Sequence, residues 1–171
     1  RLTLSVQNNN STNYNVAIGH TAGRFVTTGL QNTIVGALAA DALTDADYNV
    51  ALGYNALSSD TLGGRSTAVG YNSLATQNFS SATNSNNTAV GYVSGSGITT
   101  AQENTLIGAR AGMTLTDSND NVAVGYRSLE AETRGSRNTG IGHDALRNQN
   151  TTSSTAIYNT AVGHSAGLSV T

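Results

Sequence analysis

A nine-residue phrase returns in register along this chain, and that return limits what the chain can fold into more than its composition does. "NTAVGYVSG" at 87–95 has close relatives in "NVAIGHTAG" at 15–23, "NVALGYNAL" at 49–57, "NVAVGYRSL" at 121–129 and "NTAVGHSAG" at 159–167. Anchored on the motif glycine, nine copies fall at Gly19, Gly36, Gly53, Gly70, Gly91, Gly108, Gly125, Gly142 and Gly163. The interval is 17 residues except for 21 between Gly70 and Gly91 and again between Gly142 and Gly163, so Gly19, Gly91 and Gly163 stand 72 apart. The chain is a repeat within a repeat, with super-repeats at approximately 3–74, 75–146 and, in part, 147–171 of one continuous domain. A short fixed period marks a stacked architecture in which each unit buries its apolar face against its neighbours.

The aligned rows describe a strand and a turn. The residue before each glycine is aliphatic (Ile18, Val35, Leu52, Val69, Val90, Ile107, Val124, Ile141, Val162), and two residues earlier the row is β-branched, from Val16 and Thr33 to Thr160. Side chains two apart share one face of a strand, so these rows predict the inward face of a short strand. The row between them is Ala17, Ile34, Ala51, Ala68, Ala89, Leu106, Ala123, Gly140 and Ala161. Its small apolar residues predict a second covered face, buried by close approach of another chain. Asn, or once Ser66, opens each strand, and Gly closes it where the chain turns.

Two later rows exchange with one another. Four residues after the glycine stand Gly23, Ala40, Leu57, Leu74, Gly95, Gly112, Leu129, Leu146 and Gly167; seven after it stand Val26, Leu43, Asp60, Gln77, Ile98, Leu115, Glu132, Gln149 and Val170. Where the first row is small the second is aliphatic, and where the first is Leu the second is polar, so one core slot is filled from either of two backbone positions. Extrapolated backwards, the rule places a Leu at position 2, and Leu2 is there. The chain starts and stops inside a repeat, which is the expectation for a segment of a longer fibrous protein.

Composition excludes several partners. With 37% apolar, 5% aromatic and 11% charged residues and no Pro or Trp, the chain is too polar for an ordinary two-layer domain. A formal charge of −2 gives no basic field for nucleic acid or an anionic membrane. No apolar run approaches the roughly 18 residues of a spanning helix. The lack of Cys removes disulfides and thiolate metal sites. No charged-then-apolar leader precedes Arg1, so an export signal would have been removed or lie outside this stretch.

These features predict an all-β parallel β-solenoid of nine coils of 17 or 21 residues. At about 4.8 Å between strands, it is a rod on the order of 40 Å long. Two solenoid families compete. "IGHTAG" fits the hexapeptide of left-handed β-helix acyltransferases, but that pattern returns three times in an 18-residue coil, whereas the positions six before and after Ile18 are Thr12 and Arg24 and the period is 17. The copies "NVAIGHTA" (15–22), "STAVGYNS" (66–73), "NTAVGYVS" (87–94) and "NVAVGYRS" (121–128) more closely resemble the SVAIGxxS repeats of YadA-like head domains in trimeric autotransporter adhesins, and the NTAVGYxAL repeats of phage tail-fibre proteins that end in a self-cleaving chaperone. The coil is longer than in the adhesins. Five residues before the glycine, where adhesin heads favour Asn, this chain has Tyr14, Gln31, Tyr48, Arg65, Asn86, Glu103, Asp120, Arg137 and Tyr158. The resemblance implies a left-handed β-roll, a homotrimer around one axis, at a virion or bacterial cell surface, extracellular and without a cofactor. Trimerisation has a local reason too, since one thin roll would leave its Ala row bare.

Candidate chemistry is sparse. His20, His143 and His164 follow the motif glycine in a row otherwise made of Tyr54, Tyr71, Tyr92, Tyr126, Ala37 and Ala109. The exchange of His with Tyr predicts a stacked aromatic row; metal binding by symmetry-related histidines is the alternative, with no second ligand spaced beside them. "LTDADYN" at 43–49 and "LTDSNDN" at 115–121 put Asp45 and Asp47, or Asp117, Asn119 and Asp120, on corresponding turns, where Asp is an ordinary turn former and calcium the sharper alternative. No Ser/His/acid or paired-carboxylate set stands apart from the repeat register, so no enzyme is expected. The long intervals lengthen 76–86 and 148–158, and 4–14 occupies the equivalent place; all three are rich in Asn, Ser, Thr and Gln. Loops on a rigid scaffold are where binding resides, which nominates Asn78, Phe79, Asn84, Asn150, Thr151 and Tyr158 as contacts to a host-surface glycan or other receptor. The competing reading is a spacer or filament subunit without a receptor site of its own.

Overall fold

Each motif copy makes one three-residue strand, because a β-branched residue, a small residue and an aliphatic one precede a glycine that turns the chain. The computed structural model describes residues 12–170. Its strands are β1 (Val16–Ile18), β2 (Thr33–Val35), β3 (Val50–Leu52), β4 (Gly63–Gly64), β5 (Thr67–Val69), β6 (Thr83–Asn84), β7 (Thr88–Val90), β8 (Thr105–Ile107), β9 (Val122–Val124), β10 (Gly135–Ser136), β11 (Thr139–Ile141), β12 (Thr155–Ala156) and β13 (Thr160–Val162). The nine motif strands form one parallel sheet in the order β1-β2-β3-β5-β7-β8-β9-β11-β13. They are in register, Ala17 beside Ile34, Ala51 beside Ala68 and Ala89 beside Leu106. The chain is an all-β solenoid of about nine turns, with no helix among the described residues. The wall opposite the sheet is laddered as well: Ala40 N–H donates to Ala56 C=O (2.9 Å), Leu57 to Ser73 (3.0 Å) and Gly112 to Ser128 (2.9 Å).

The strands face the other way from the sequence-based expectation. Ile34, Ala51, Ala68, Ala89, Leu106 and Ala123, of the middle row, are all fully buried within the single chain. The flanking rows lie outside: Ile18 is 60% exposed, Leu52 45%, Ile107 41% and Val162 66%. The reason is the thinness of the roll. The space behind the sheet is largely filled by Leu43, Leu57, Leu74, Ile98, Leu115, Leu129 and Leu146 from the opposite wall, so the strand contributes its mostly alanine row, with Ile34 and Leu106 as the two large members. The Ala row is therefore not bare.

The exchanged slot is real in space. A Cβ added at Gly112 would lie 2.7 Å from Leu115 Cδ1, its own partner three residues on, and 2.7 Å from Leu106 Cδ2. The polar members of the second row do not turn out to solvent: Asp60, Gln77 and Glu132 are fully buried and Gln149 is 2% exposed. The Asn row is likewise internal, a ladder in which each side-chain oxygen accepts from the backbone of the next coil, as Asn15 does from Asn32 (2.7 Å), Asn32 from Asn49 (2.8 Å) and Asn104 from Asn121 (2.9 Å).

Every left-handed residue among those described falls on four rows of the repeat. The motif glycines have φ of 128–143°, and a Cβ on Gly19 would lie 2.5 Å from the Gly36 carbonyl oxygen of the next coil. The other three rows stand five before, two after and four after the glycine, and their members, 23 of them not glycine, have φ between 43° and 63°. The row five before, where adhesin heads favour Asn, is left-handed in all nine copies, including Tyr48 (62°), Arg65 (61°) and Glu103 (62°). Leu2 and most of 4–14 lie outside the described residues.

Candidate functional site

The two long intervals are held by buried carboxylates that the repeat places 72 residues apart. Asp60 Oδ1 accepts from the backbone N–H of Gly63 (2.9 Å) and Phe79 (3.3 Å), and its Oδ2 from Gln77 Nε2 (2.5 Å). Gln77 Oε1 in turn accepts from Asn87 Nδ2 (2.9 Å), joining the hub to the Asn ladder. The second hub has the same wiring with one methylene more. Glu132 Oε1 accepts from Gly135 N–H (2.7 Å) and Thr151 N–H (3.0 Å), Oε2 from Gln149 Nε2 (2.7 Å), and Gln149 Oε1 from Asn159 Nδ2 (2.7 Å). Burial pushes the Glu132 carboxyl up, but the bonds from Gln149, Gly135, Thr151 and Arg134 outweigh it and leave the group below its ordinary value of 4.5. Both oxygens of each carboxylate are occupied in anchoring the loops.

The inserted residues are consequently less loop-like than their composition predicts. β6 pairs with β4, Gly63 beside Thr83, and β12 pairs with β10, Gly135 beside Thr155. Phe79 is only 5% exposed. It is a plug beneath the first insertion and not a displayed receptor contact, since its ring would otherwise leave a large apolar surface in water. Asn78, Asn84 and Asn150 are exposed, Thr151 is half-buried and held by Glu132, and Tyr158 is 64% exposed with its hydroxyl accepting from Arg137 Nη1 (2.6 Å). Asn78 and Asn150 accept from the hydroxyls of Thr61 (3.0 Å) and Thr133 (2.9 Å) at equivalent places.

The row after the glycine forms two exposed stacks. Tyr54, Tyr71 and Tyr92 lie 5.5 and 5.3 Å apart with rings within 13° of parallel; Tyr126, His143 and His164 follow at 5.2 and 5.0 Å. Ala109 separates the stacks, and Ala37 separates His20 from the first. Beside the second stack runs a charge ladder: Glu130 pairs with Arg110 (2.6 Å) and Arg147 (2.9 Å), and Asp144 with Arg127 (2.9 Å). On the acidic turns, Asp45 Oδ1 accepts from Thr28 Oγ1 (2.6 Å), Asp47 Oδ1 from Leu30 N–H (2.7 Å), Asp117 Oδ2 from Ser154 Oγ (3.1 Å) and Asp120 Oδ2 from Arg137 (3.4 Å). Among the described residues no three His, Cys, Asp or Glu side chains are grouped to hold a metal ion.

Three groups escaped the sequence reading: the two carboxylate hubs, the internal Asn ladder, and the outward aliphatic rows. The first two had a signal, since a polar residue at a fixed register position in a solenoid is either a turn former or a ladder, and periodicity alone does not tell these apart. Among the described residues no helix is long and apolar enough to cross a membrane. Compared with protein-family models, with curated proteins and with solved structures, the chain finds no match, so its function is read from its own geometry.

Proposed function

We propose that this chain is the structural and adhesive part of a trimeric surface fibre, a left-handed β-roll that three copies share around one axis and that attaches a virion tail or a bacterial cell to its host. The observation that carries the reading is the apolar stripe on the outer face of the motif sheet. Ile18, Leu52, Ile107, Ile141 and Val162 are each more than a third exposed and belong to one unbroken aliphatic row along the rod; Val16 and Val50, also exposed, stand in the row beside it, which is mostly threonine. A contiguous apolar patch of this kind marks an association surface, and its straightness suits parallel copies aligned coil to coil. The resemblance of the repeats to trimeric adhesin heads supplies the number three. Light scattering tests the assembly: the expected mass is three times 17.5 kDa, and a monomer at micromolar concentration overturns it. The uniform coils also favour a spacer reading, in which length alone is the function; attachment to host cells by the purified trimer separates the two.

A further inference from the structure

The geometry points to a binding cleft for one ring of a neutral saccharide, floored by Gly64 and bounded by Asp45, Asp47, Tyr48, Arg65 and Asn84. It rests on the surface-attachment reading above and names the ligand class and the place. The cleft, about 310 Å³, crosses three successive coils: the turn at 45–48, β4 with Arg65, and β6 of the insertion. Gly64 widens it by having no side chain between its neighbours, where a Cβ would lie 3.0 Å from the Asp47 carbonyl oxygen and 3.7 Å from Asn84 Oδ1. Its volume is at the small end of the roughly 300–1,000 Å³ of ligand pockets, room for a sugar ring and not for a folded partner.

The lining selects the chemistry. Tyr48 is 50% exposed and presents a ring face, with the Arg65 guanidinium 5.9 Å from its centroid. Arg65 enters no ion pair among the described residues, whose pairs all involve other arginines or His143. The cleft thus gathers the Arg65 guanidinium, the Asn84 amide, an exposed tyrosine ring and the carboxylates of Asp45 and Asp47, whose Oδ1 atoms already accept from Thr28 and Leu30 and whose second oxygens are the acceptors open to a ligand; vicinal hydroxyls and an apolar ring face satisfy such a set together. Two carboxylates disfavour an anionic ligand in the same space. The cleft also joins the Asp turn to the insertion, bringing Asp47 and Asn84, 37 residues apart in sequence, to one place by stacking the coils.

The second super-repeat supplies an internal comparison. Residues 72 positions on line a cleft of about 260 Å³, but Ser136 stands where Gly64 does, and its hydroxyl accepts from Asn119 N–H (3.0 Å). Asp120 replaces Tyr48 and pairs with Arg137 (3.4 Å), which Tyr158 also engages. Ser154 meets Asp117 (3.1 Å). This copy has no aromatic residue in its lining, and its guanidinium is already taken by Asp120 and by Tyr158, over whose ring it lies at 5.5 Å, so the first cleft is the binding one.

Saturation-transfer NMR on the intact chain tests this with a panel of neutral hexose and N-acetylhexosamine trisaccharides, against sialyllactose and a uronic-acid trisaccharide. Transfer to at least one neutral sugar is expected, weakened tenfold or more by Tyr48→Ala or Arg65→Ala and unchanged by Arg137→Ala. Gly64→Ser, which copies the second cleft, should weaken it as well; if that variant fails to fold, the two surface variants still decide. Transfer to no neutral sugar, preference for the anionic ones, or binding indifferent to Tyr48 and Arg65 overturns the cleft. The mass of the same samples reads the assembly separately: a trimer without sugar binding removes the cleft alone, and a monomer that binds sugar removes the fibre alone.

Discussion

At the scale of single residues, the coil is shaped by positions that L-amino acids occupy reluctantly. A left-handed backbone costs a non-glycine residue about 1–2 kcal/mol, and each coil holds two or three such residues besides its motif glycine. The cost is met by the ladders that neighbouring coils impose. Gly112 combines a φ of 55° with a forbidden Cβ, so Gly112→Ala should destabilise the chain by roughly 1–3 kcal/mol as an overpacked core. Leu115→Ala in that background should cost less than it does alone, because it clears one of the colliding atoms. Urea unfolding of the four proteins measures the coupling, and simple additivity would refute the shared slot. Glu132 sets a pH dependence. Its folded pKa is lowered from the ordinary 4.5, so the stability it contributes is fully present above that unfolded value and is lost as pH falls through the lower folded value. Unfolding midpoints for the native chain should drop on acidification below about pH 4.5, and Glu132→Gln should flatten that drop while lowering stability at neutral pH by about 1–3 kcal/mol for the bonds it cannot accept as strongly.

At the scale of elements, the insertions are anchored pieces of the solenoid. Phe79 sits against Gly63, whose hypothetical Cβ would lie 2.7 Å from the ring, and Phe79→Ala should cost about 3 kcal/mol by denaturant titration. Deleting four residues from 76–86 should therefore destabilise the rod, because it removes the β6 pairing and the bond to Asp60. The nine motif strands in parallel register were legible from the period, and so was the Leu exchange, because both depend only on spacing; the short pairs β4–β6 and β10–β12 were not. The direction of the strand was not. Ala89 between Thr88 and Val90 reads as the outer row by hydrophobicity, yet it is the buried one: the strand offers a small residue where the facing wall is filled, and a large one, Leu106, beside Gly95 and Gly112. The hubs were hidden for a related reason: Asp60 and Glu132 look like surface residues until the coil that donates to them is in place. The first cleft was half legible, its Asp turn and its insertion each visible and their meeting not.

At the scale of the whole molecule, adjacent residues separate folding from the proposed association. Leu106 is fully buried and Ile107 is 41% exposed. Leu106→Asp should prevent folding, since it leaves an unpaired charge in the core. Ile107→Asp should leave the single chain's circular dichroism intact and lower the mass from trimer to monomer by light scattering; an unchanged mass would mean that the outer stripe is not the contact. The left-handed rows have a mechanical corollary. A coil whose turns are unfavourable alone keeps its shape only while a neighbour holds it, so rupture inside the rod must break two coil-to-coil ladders, and rupture at an end only one. Pulled on, such a rod would be peeled and not snapped. Each event would release one coil of 17 residues, about 60 Å of extended chain at roughly 3.5 Å per residue, with every fourth event longer by the insertion. The super-repeat is in this sense a scale engraved on the rod, readable by force as well as by sequence.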